Sequence, residues 1–335
     1  MNKRAPAAKR TAHRTRKRPT PPAAPATPSG AASPVAKAPI IACFGEILWD
    51  CLPRGIFLGG APLNVAYHLS RLGLAPLLVS AVGRDFLGDE ALRRLAGWGL
   101  DTSRVARVRP ATGTVRATLD ADGVARYVFD PAPAWDHLPA PPAPSARRAA
   151  PAAVVFGTLA LREPANRRGL KTLLDAWPDA LRVVDLNLRP PFARAAAISW
   201  ALKRAHLLKL NDEELATLTR PRRVPATPGG LAAAARHLAR LHGIARICVT
   251  AGPRGAGLLW DGAWHWADAR PVEVRDTVGA GDAFLAALLA ALLARNEPPE
   301  LALSAACRLG EYVATQDGAT PAYRVDARGR PQLVR

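Results

Sequence analysis

The segment Asp276-Thr277-Val278-Gly279-Ala280-Gly281-Asp282-Ala283-Phe284 carries the most specific chemistry in the 335-residue chain. Two glycines around an alanine at the start of a helix let backbone N–H groups approach an anion closely. The helix N-terminus adds partial positive charge worth roughly 0.3–2 kcal/mol. Such a turn suits the oxyanions of phosphoryl transfer. Asp282 sits at its mouth, where a carboxylate could take the proton of an attacking hydroxyl; the alternative is that it only caps the helix. No Walker A pattern and no G-x-G-x-x-G dinucleotide pattern occurs.

Other polar residues fall at turns beside apolar runs. Asp50 closes Gly45-Glu46-Ile47-Leu48-Trp49-Asp50, where a carboxylate could clamp two hydroxyls of a polyol, or be a plain loop acid. Gly59, Gly60 and Asn64 open a helix and offer backbone and amide groups, the alternative being a tight turn. Asn211 and Glu214, three apart, could meet at one point at a helix start, or form a capping pair. Asp185, Asn187 and Arg189 follow a strand end, where Arg189 is either a phosphate contact or a solvated base.

The elements that must hold these residues are legible from periodicity. Ile40–Phe44 reads as a buried strand ended by Gly45, and helical spacing runs from Asn64 to Leu72 before Gly73. A strand is expected over Leu77–Val82 and a helix over Asp89–Trp98. Residues 113–130 alternate around Asp122-Gly123 as a hairpin, and a Pro/Ala-rich connection follows over 131–151. Strands at 154–156, 182–185, 206–209 and 247–250 then alternate with helices near 165–177, from Glu213 and over 231–242. A second hairpin turns at Asp261-Gly262, and a long helix follows the glycine-rich turn through Ala294. Repeated β-α units imply a mostly parallel sheet with helices on both faces.

Together these segments resemble the ribokinase-like (PfkB) carbohydrate kinases over residues 40–325. The likeness rests on Gly59-Gly60-Ala61-Pro62-Leu63-Asn64 paired with Gly279-Ala280-Gly281-Asp282. Between them lie Val82-Gly83-Arg84-Asp85-Phe86-Leu87-Gly88, Gly99-Leu100-Asp101-Thr102-Ser103, Asn211 with Glu214, and Val249-Thr250-Ala251-Gly252 with Gly255. The resemblance implies an α/β ribokinase-like fold, a mostly parallel central sheet flanked by helices, with a small β-sheet lid. It implies transfer of phosphate from ATP with Mg²⁺, with Asp282 as base and Gly279, Ala280 and Gly281 holding the phosphoryl charge. Asp50, Gly59, Gly60, Asn64 and Arg189 would bind the acceptor; Asn211, Glu214, Thr250, Gly252 and Gly255 would bind the nucleotide. Glu214 would reach Mg²⁺ through water. Asp276 and Val278, with Gly318-Ala319 completing the loop, match a monovalent-cation site in some relatives, which opens the option of K⁺ activation.

The GEILWD segment, with Gly157-Thr158-Leu159-Ala160-Leu161-Arg162, looks most like the fructokinase branch, so fructose is the expected acceptor. Kinases of ribose, 2-keto-3-deoxygluconate or nucleosides are the enzymatic alternatives. An idle relative that binds nucleic acid or a partner through a basic tail is the non-enzymatic one. That tail, residues 1–38, holds nine Lys and Arg and no acid, within a total of 46 bases and 27 acids and a net charge of +19. It lacks apolar periodicity, and is expected to be a disordered arm ahead of one kinase domain over 39–330, whose lid draws on about 50–60 and 113–130. The longest apolar stretch, 283–294, is too short to span a bilayer. Four cysteines without a C-x-x-C pair fit a reducing cytoplasm. The oligomeric state stays open, a homodimer included.

Overall fold

A computed structural model describes residues 1, 38–52, 55–119, 125–139, 149–220, 223–326 and 330–332. The basic tail, the Asp122-Gly123 turn and much of the Pro/Ala-rich connection lie outside the described residues. Chain contacts divide at Lys37, and Ala38–Arg335 forms a unit of its own.

In the first half, the strands are β1 (Ile40–Phe44), β2 (Leu48–Leu52), β3 (Gly55–Gly59), β4 (Ala75–Gly83), β5 (Val105–Val108), β6 (Gly113–Leu119) and β7 (Ala125–Phe129). The helices are α1 (Ala61–Arg71) and α2 (Phe86–Gly97). The second half runs β8 (Ala153–Gly157), α3 (Pro164–Ala176), β9 (Leu181–Asp185), α4 (Ala195–Leu202), β10 (Leu207–Asn211), α5 (Asp212–Leu218) and α6 (Pro228–His242). It continues with β11 (Arg246–Thr250), β12 (Ala256–Trp260), β13 (Ala263–Ala267), α7 (Ala280–Leu289) and α8 (Pro299–Ala314).

Nine strands form one sheet in the order β13-β12-β11-β10-β9-β8-β1-β4-β5. All pairs from β11 to β5 are parallel, and only the β11-β12-β13 edge is antiparallel. Strand alternation sorts the core into two layers. Ile41, Cys43, Val155, Val183 and Leu207 pack with α1, α7 and α8, whereas Ala42, Phe44, Val154, Val184, Leu208 and Leu210 pack with α3, α4 and α6. Both faces are thus covered, as a parallel sheet requires. The order reverses at β1, which pairs with β4 on one side and β8 on the other. At such a point the loops leaving the carboxyl ends of the strands part and open a crevice.

A separate four-stranded sheet, β3-β2-β6-β7, supplies the lid. Sequence periodicity had shown β6 and β7 but not the β2-β3 hairpin, nor α8 beneath the last turns. Helix α1 begins at Ala61, three residues ahead of the apolar pattern, because Pro62 in its first turn is preset for helix and needs no N–H partner there. The expected second hairpin turns with Asp261 at φ 48° and Gly262 at φ 94°, the two positive φ values of a type I′ turn.

Candidate active site

Strand ends deliver most of the polar residues. Asp185 ends β9, Asn211 ends β10 and Thr250 ends β11. Parallel register sets Asn211 beside Thr250 and Lys209 beside Asp185. Helix α7 brings the glycine-rich turn to the same edge. Gly279 is its N-cap at φ 78°, ψ −7°, left-handed backbone that glycine adopts without strain, and no side chain caps it. A Cβ there would also collide with Ala319. The Ala280 N–H goes to Thr277 O at 3.2 Å and the Asp282 N–H to Gly279 O at 3.1 Å. That leaves the Gly279 and Gly281 N–H groups as the candidate anion donors of the turn.

Asp282 is buried, and its side chain does not cap α7. Its Oδ2 accepts a hydrogen bond from Asn64 Nδ2 at 2.8 Å, across 218 residues of sequence. Burial pushes its pKa up to about 7, and the nearby Asp185 charge adds to the rise; Lys209, the Asn64 bond and Arg189 oppose it. A carboxylate tuned to that range is a competent general base near neutrality. Arg189 is exposed, and its positive charge opposes the rise in pKa at Asp282, Asp50 and Glu46.

The opposite side of the cluster is built by the lid and α1. Asp50, on β2, lies over the end of β3, where a Cβ on Gly59 would stand 2.6 Å from Asp50 Oδ2. Glycine at 59 is what gives that carboxylate its place. Burial pushes Asp50 up to about 6, with Asp276 adding to the rise and Arg189 opposing it. Gly60, at φ 116°, packs its Cα face on the Glu46 carbonyl with no room for a side chain. Glu46 itself is buried, raised in pKa by burial, and its Oε2 has no hydrogen-bond partner.

Asn211 and Glu214 form a full capping box on α5. Asn211 Oδ1 accepts from the Glu214 N–H at 2.7 Å, Glu214 Oε2 from the Asn211 N–H at 2.9 Å, and Glu214 Oε1 from the Leu188 N–H at 2.6 Å. Both carboxylate oxygens are therefore engaged once, and a hydrated cation would use their remaining lone pairs. Gly252 (φ 55°) and Gly255 (φ 121°) bound the turn that follows Thr250, on the far side of Asn211 from Asp185. Asp276 Oδ1 accepts from the Val278 N–H at 3.0 Å and Asp276 Oδ2 from the Gly318 N–H at 3.1 Å. The two loops named for a monovalent cation are thus held together by one carboxylate.

Lys209 has no motif around it, yet it lies at the centre. Its Nζ sits 3.0 Å from each Asp185 oxygen and 3.0 Å from where a Cβ on Gly281 would stand. The detectable signal was a lysine among the apolar residues of a buried strand. Among the described residues, no group of three or more His, Cys, Asp or Glu is arranged to hold a metal. A Mg²⁺ brought in with nucleotide phosphates and its own waters fits this donor set, because such ions take few protein ligands. The amide turn at α7 fits the phosphates.

A family model described as pfkB family carbohydrate kinase matches residues 54–325. Fructokinase from Klebsiella pneumoniae is 32% identical over 299 residues, covering 83% of this chain and 94% of the relative. Fructokinase from Rhizobium leguminosarum bv. trifolii is 30% identical over 274 residues, covering 77% and 81%. Among solved structures, Vibrio cholerae O395 fructokinase with fructose, ADP and calcium ion aligns with TM-score 0.71 at 23% identity over 84% of this chain and 94% of that one. Its double mutant with fructose, ADP and potassium ion gives 0.72 at 23%, over 85% and 94%. A putative ribokinase II from E. coli with ATP and Mg²⁺ gives 0.70 at 21%, over 84% and 94%. At these identities the structures show the fold: ribokinase-like, with a lid.

Proposed function

This chain belongs to the pfkB family of carbohydrate kinases, ATP-dependent phosphotransferases, and we propose that the alcohol it phosphorylates is the 6-hydroxyl of D-fructose. The observation that carries the chemistry is the buried Asp282, bonded to Asn64 and set beside the Gly279–Gly281 amides. The fructokinase-like GEILWD and GTLALR segments, and the fructokinase names among relatives at about 30% identity, support fructose over other sugars.

In this reading Asp50, Gly59, Gly60 and Asn64 bind and orient the sugar, and a sugar lacking one of the bound hydroxyls leaves those groups unpaired. The acceptor oxygen forms a bond to phosphorus as the bond to the leaving oxygen of the donor breaks, and Asp282 takes the hydroxyl proton. The Gly279 and Gly281 N–H groups, with the exposed Arg189, stabilise the charge on the transferring group. When bound, ATP supplies the phosphoryl group and Mg²⁺ screens it, with Thr250, Gly252 and Gly255 on the nucleotide side and Asn211 with Glu214 reaching Mg²⁺ through water. The Asp276, Val278 and Gly318 loops would hold K⁺. The lid excludes water and so limits ATP hydrolysis. The four cysteines are free, three of them buried, which supports a reducing, cytoplasmic setting.

The test is ADP release measured with fructose, ribose, 2-keto-3-deoxygluconate and adenosine, with and without K⁺. The expected result is the highest kcat/KM on fructose; a preference for another acceptor moves the assignment to that sugar.

A further inference from the structure

The ion pair between Lys209 and Asp185 stands where the sheet should carry apolar side chains. Along β10, Leu208 and Leu210 face the α3, α4 and α6 layer while Leu207 faces the α1, α7 and α8 layer. Alternation puts Lys209 on the latter face. Along β9 the same count puts Asp185 beside Val183 on that face, and register makes the two direct neighbours. Both are buried. A desolvated ion pair in such a layer is a poor way to gain stability compared with two apolar residues. It lies at the carboxyl edge, directly beneath α7, and Gly281 leaves out the side chain whose first carbon would press on Lys209 Nζ at 3.0 Å.

We propose that Lys209 is a positioning residue of the phosphoryl-transfer centre, acting through Asp185: its ammonium neutralises that carboxylate so that Asp282 faces a balanced pair and ionises more readily as proton acceptor. The inference rests on the reading of Asp282 given above. The charged groups around Asp282 are Asp185 from β9, Lys209 from β10 and Arg189 from the loop after β9, and its contact from α1 is the neutral Asn64. Around Lys209 stand Asp185, Asp282 and, from α5, Glu214. Its neighbour on β11, Cys248, is a thiol that burial keeps neutral. Burial works against the Lys209 charge, but the Asp185 and Asp282 carboxylates outweigh it and hold its pKa above the ordinary value. The ammonium is therefore present throughout the working pH range.

Removing either member of the pair leaves the other bare beside Asp282, with opposite consequences. Lys209→Met exposes Asp282 to the uncompensated Asp185 carboxylate, and the acid limb of the pH profile of kcat/KM should move up by about one pH unit or more. Asp185→Asn leaves the ammonium alone, and the limb should move down. Lys209→Met combined with Asp185→Asn removes both charges and should return the limb toward its wild-type position. A pair that only stabilises the fold would lower activity evenly across pH, and the double variant would not restore the profile. If Lys209→Met fails to fold, the downward shift in Asp185→Asn decides the question alone. Unmoved acid limbs, alongside an inactive Asp282→Asn, overturn this proposal and leave the proton-acceptor reading standing. An active Asp282→Asn overturns both.

Discussion

Asp282 is held in a state that favours chemistry over stability. Its ordinary pKa of 3.8 rises to about 7 in the folded chain. Between those values the folded state binds more proton than the unfolded one, so stability falls as pH rises through this window. The cost is complete above about pH 7. Asp282→Asn removes the titration while keeping an oxygen for Asn64 Nδ2. The variant should therefore gain thermal stability relative to wild type at pH 8 and gain little at pH 5, as read by Tm at the two values. Its kcat should fall by about 10²–10⁴-fold, the range set by general-base catalysis. In the wild type, kcat/KM should rise with pH through about 7 as the carboxylate ionises, in a steady-state profile from pH 5 to 9. Asp282 was legible in the sequence because the glycines beside it mark a turn that few other structures need. Lys209 was visible only as a lysine within an apolar strand, since its partner Asp185 comes from the neighbouring strand, and Glu46 gave no sign of its burial against Gly60 at the start of α1.

Elements place these groups through short devices at their ends. Helix α5 is seven residues long, too short to be stable by itself, and it starts on the Asn211–Glu214 box. Glu214 also holds the Leu188 N–H, tying the Asp185–Arg189 loop to the same cap. Glu214→Ala frees both backbone groups and should cost about 1–2 kcal/mol of stability, measured by urea denaturation. If Glu214 also reaches Mg²⁺ through water, the Mg²⁺ concentration for half-maximal rate should rise in the same variant. Unchanged Mg²⁺ dependence with lost stability would confine Glu214 to capping, which was the bland alternative for any N-x-x-E. The alternating β-α elements were legible because their apolar periods are clean. The region about 50–60 was expected in the lid, but the β2-β3 strands show no period of their own. Leu48-Trp49-Asp50-Cys51-Leu52 has few polar residues to alternate, since Trp49 lies against Leu87 and Arg94 of α2 on one face and Leu48 packs with Val115 and Trp135 on the other.

On the scale of the whole molecule, the proposed site lies where two sheets meet over one crevice. The main sheet supplies Asp185, Lys209, Asn211 and Thr250 from consecutive strand ends, and the lid supplies Asp50. Phe57 on β3, opposite Asp50 in the lid register, reaches across to the Gly318 loop, with ring carbon Cδ1 3.1 Å from where a Gly318 Cβ would stand. The lid is thus in contact with the loop that Asp276 ties to the start of the Gly279–Gly281 turn. No site residue named above falls within residues 1–38, which carry nine of the 46 basic side chains. The family match begins at residue 54. A chain starting at Pro39 should therefore keep kcat and both KM values within about twofold, since no named contact of the site is lost. If the arm binds nucleic acid, the full-length protein should show a salt-dependent complex with duplex DNA, its logarithmic slope near 0.9 for each phosphate neutralised. Deleting the arm should flatten that slope in proportion to the contacts removed. An equal slope in both proteins would assign the association to the body, whose remaining 37 bases exceed its 27 acids.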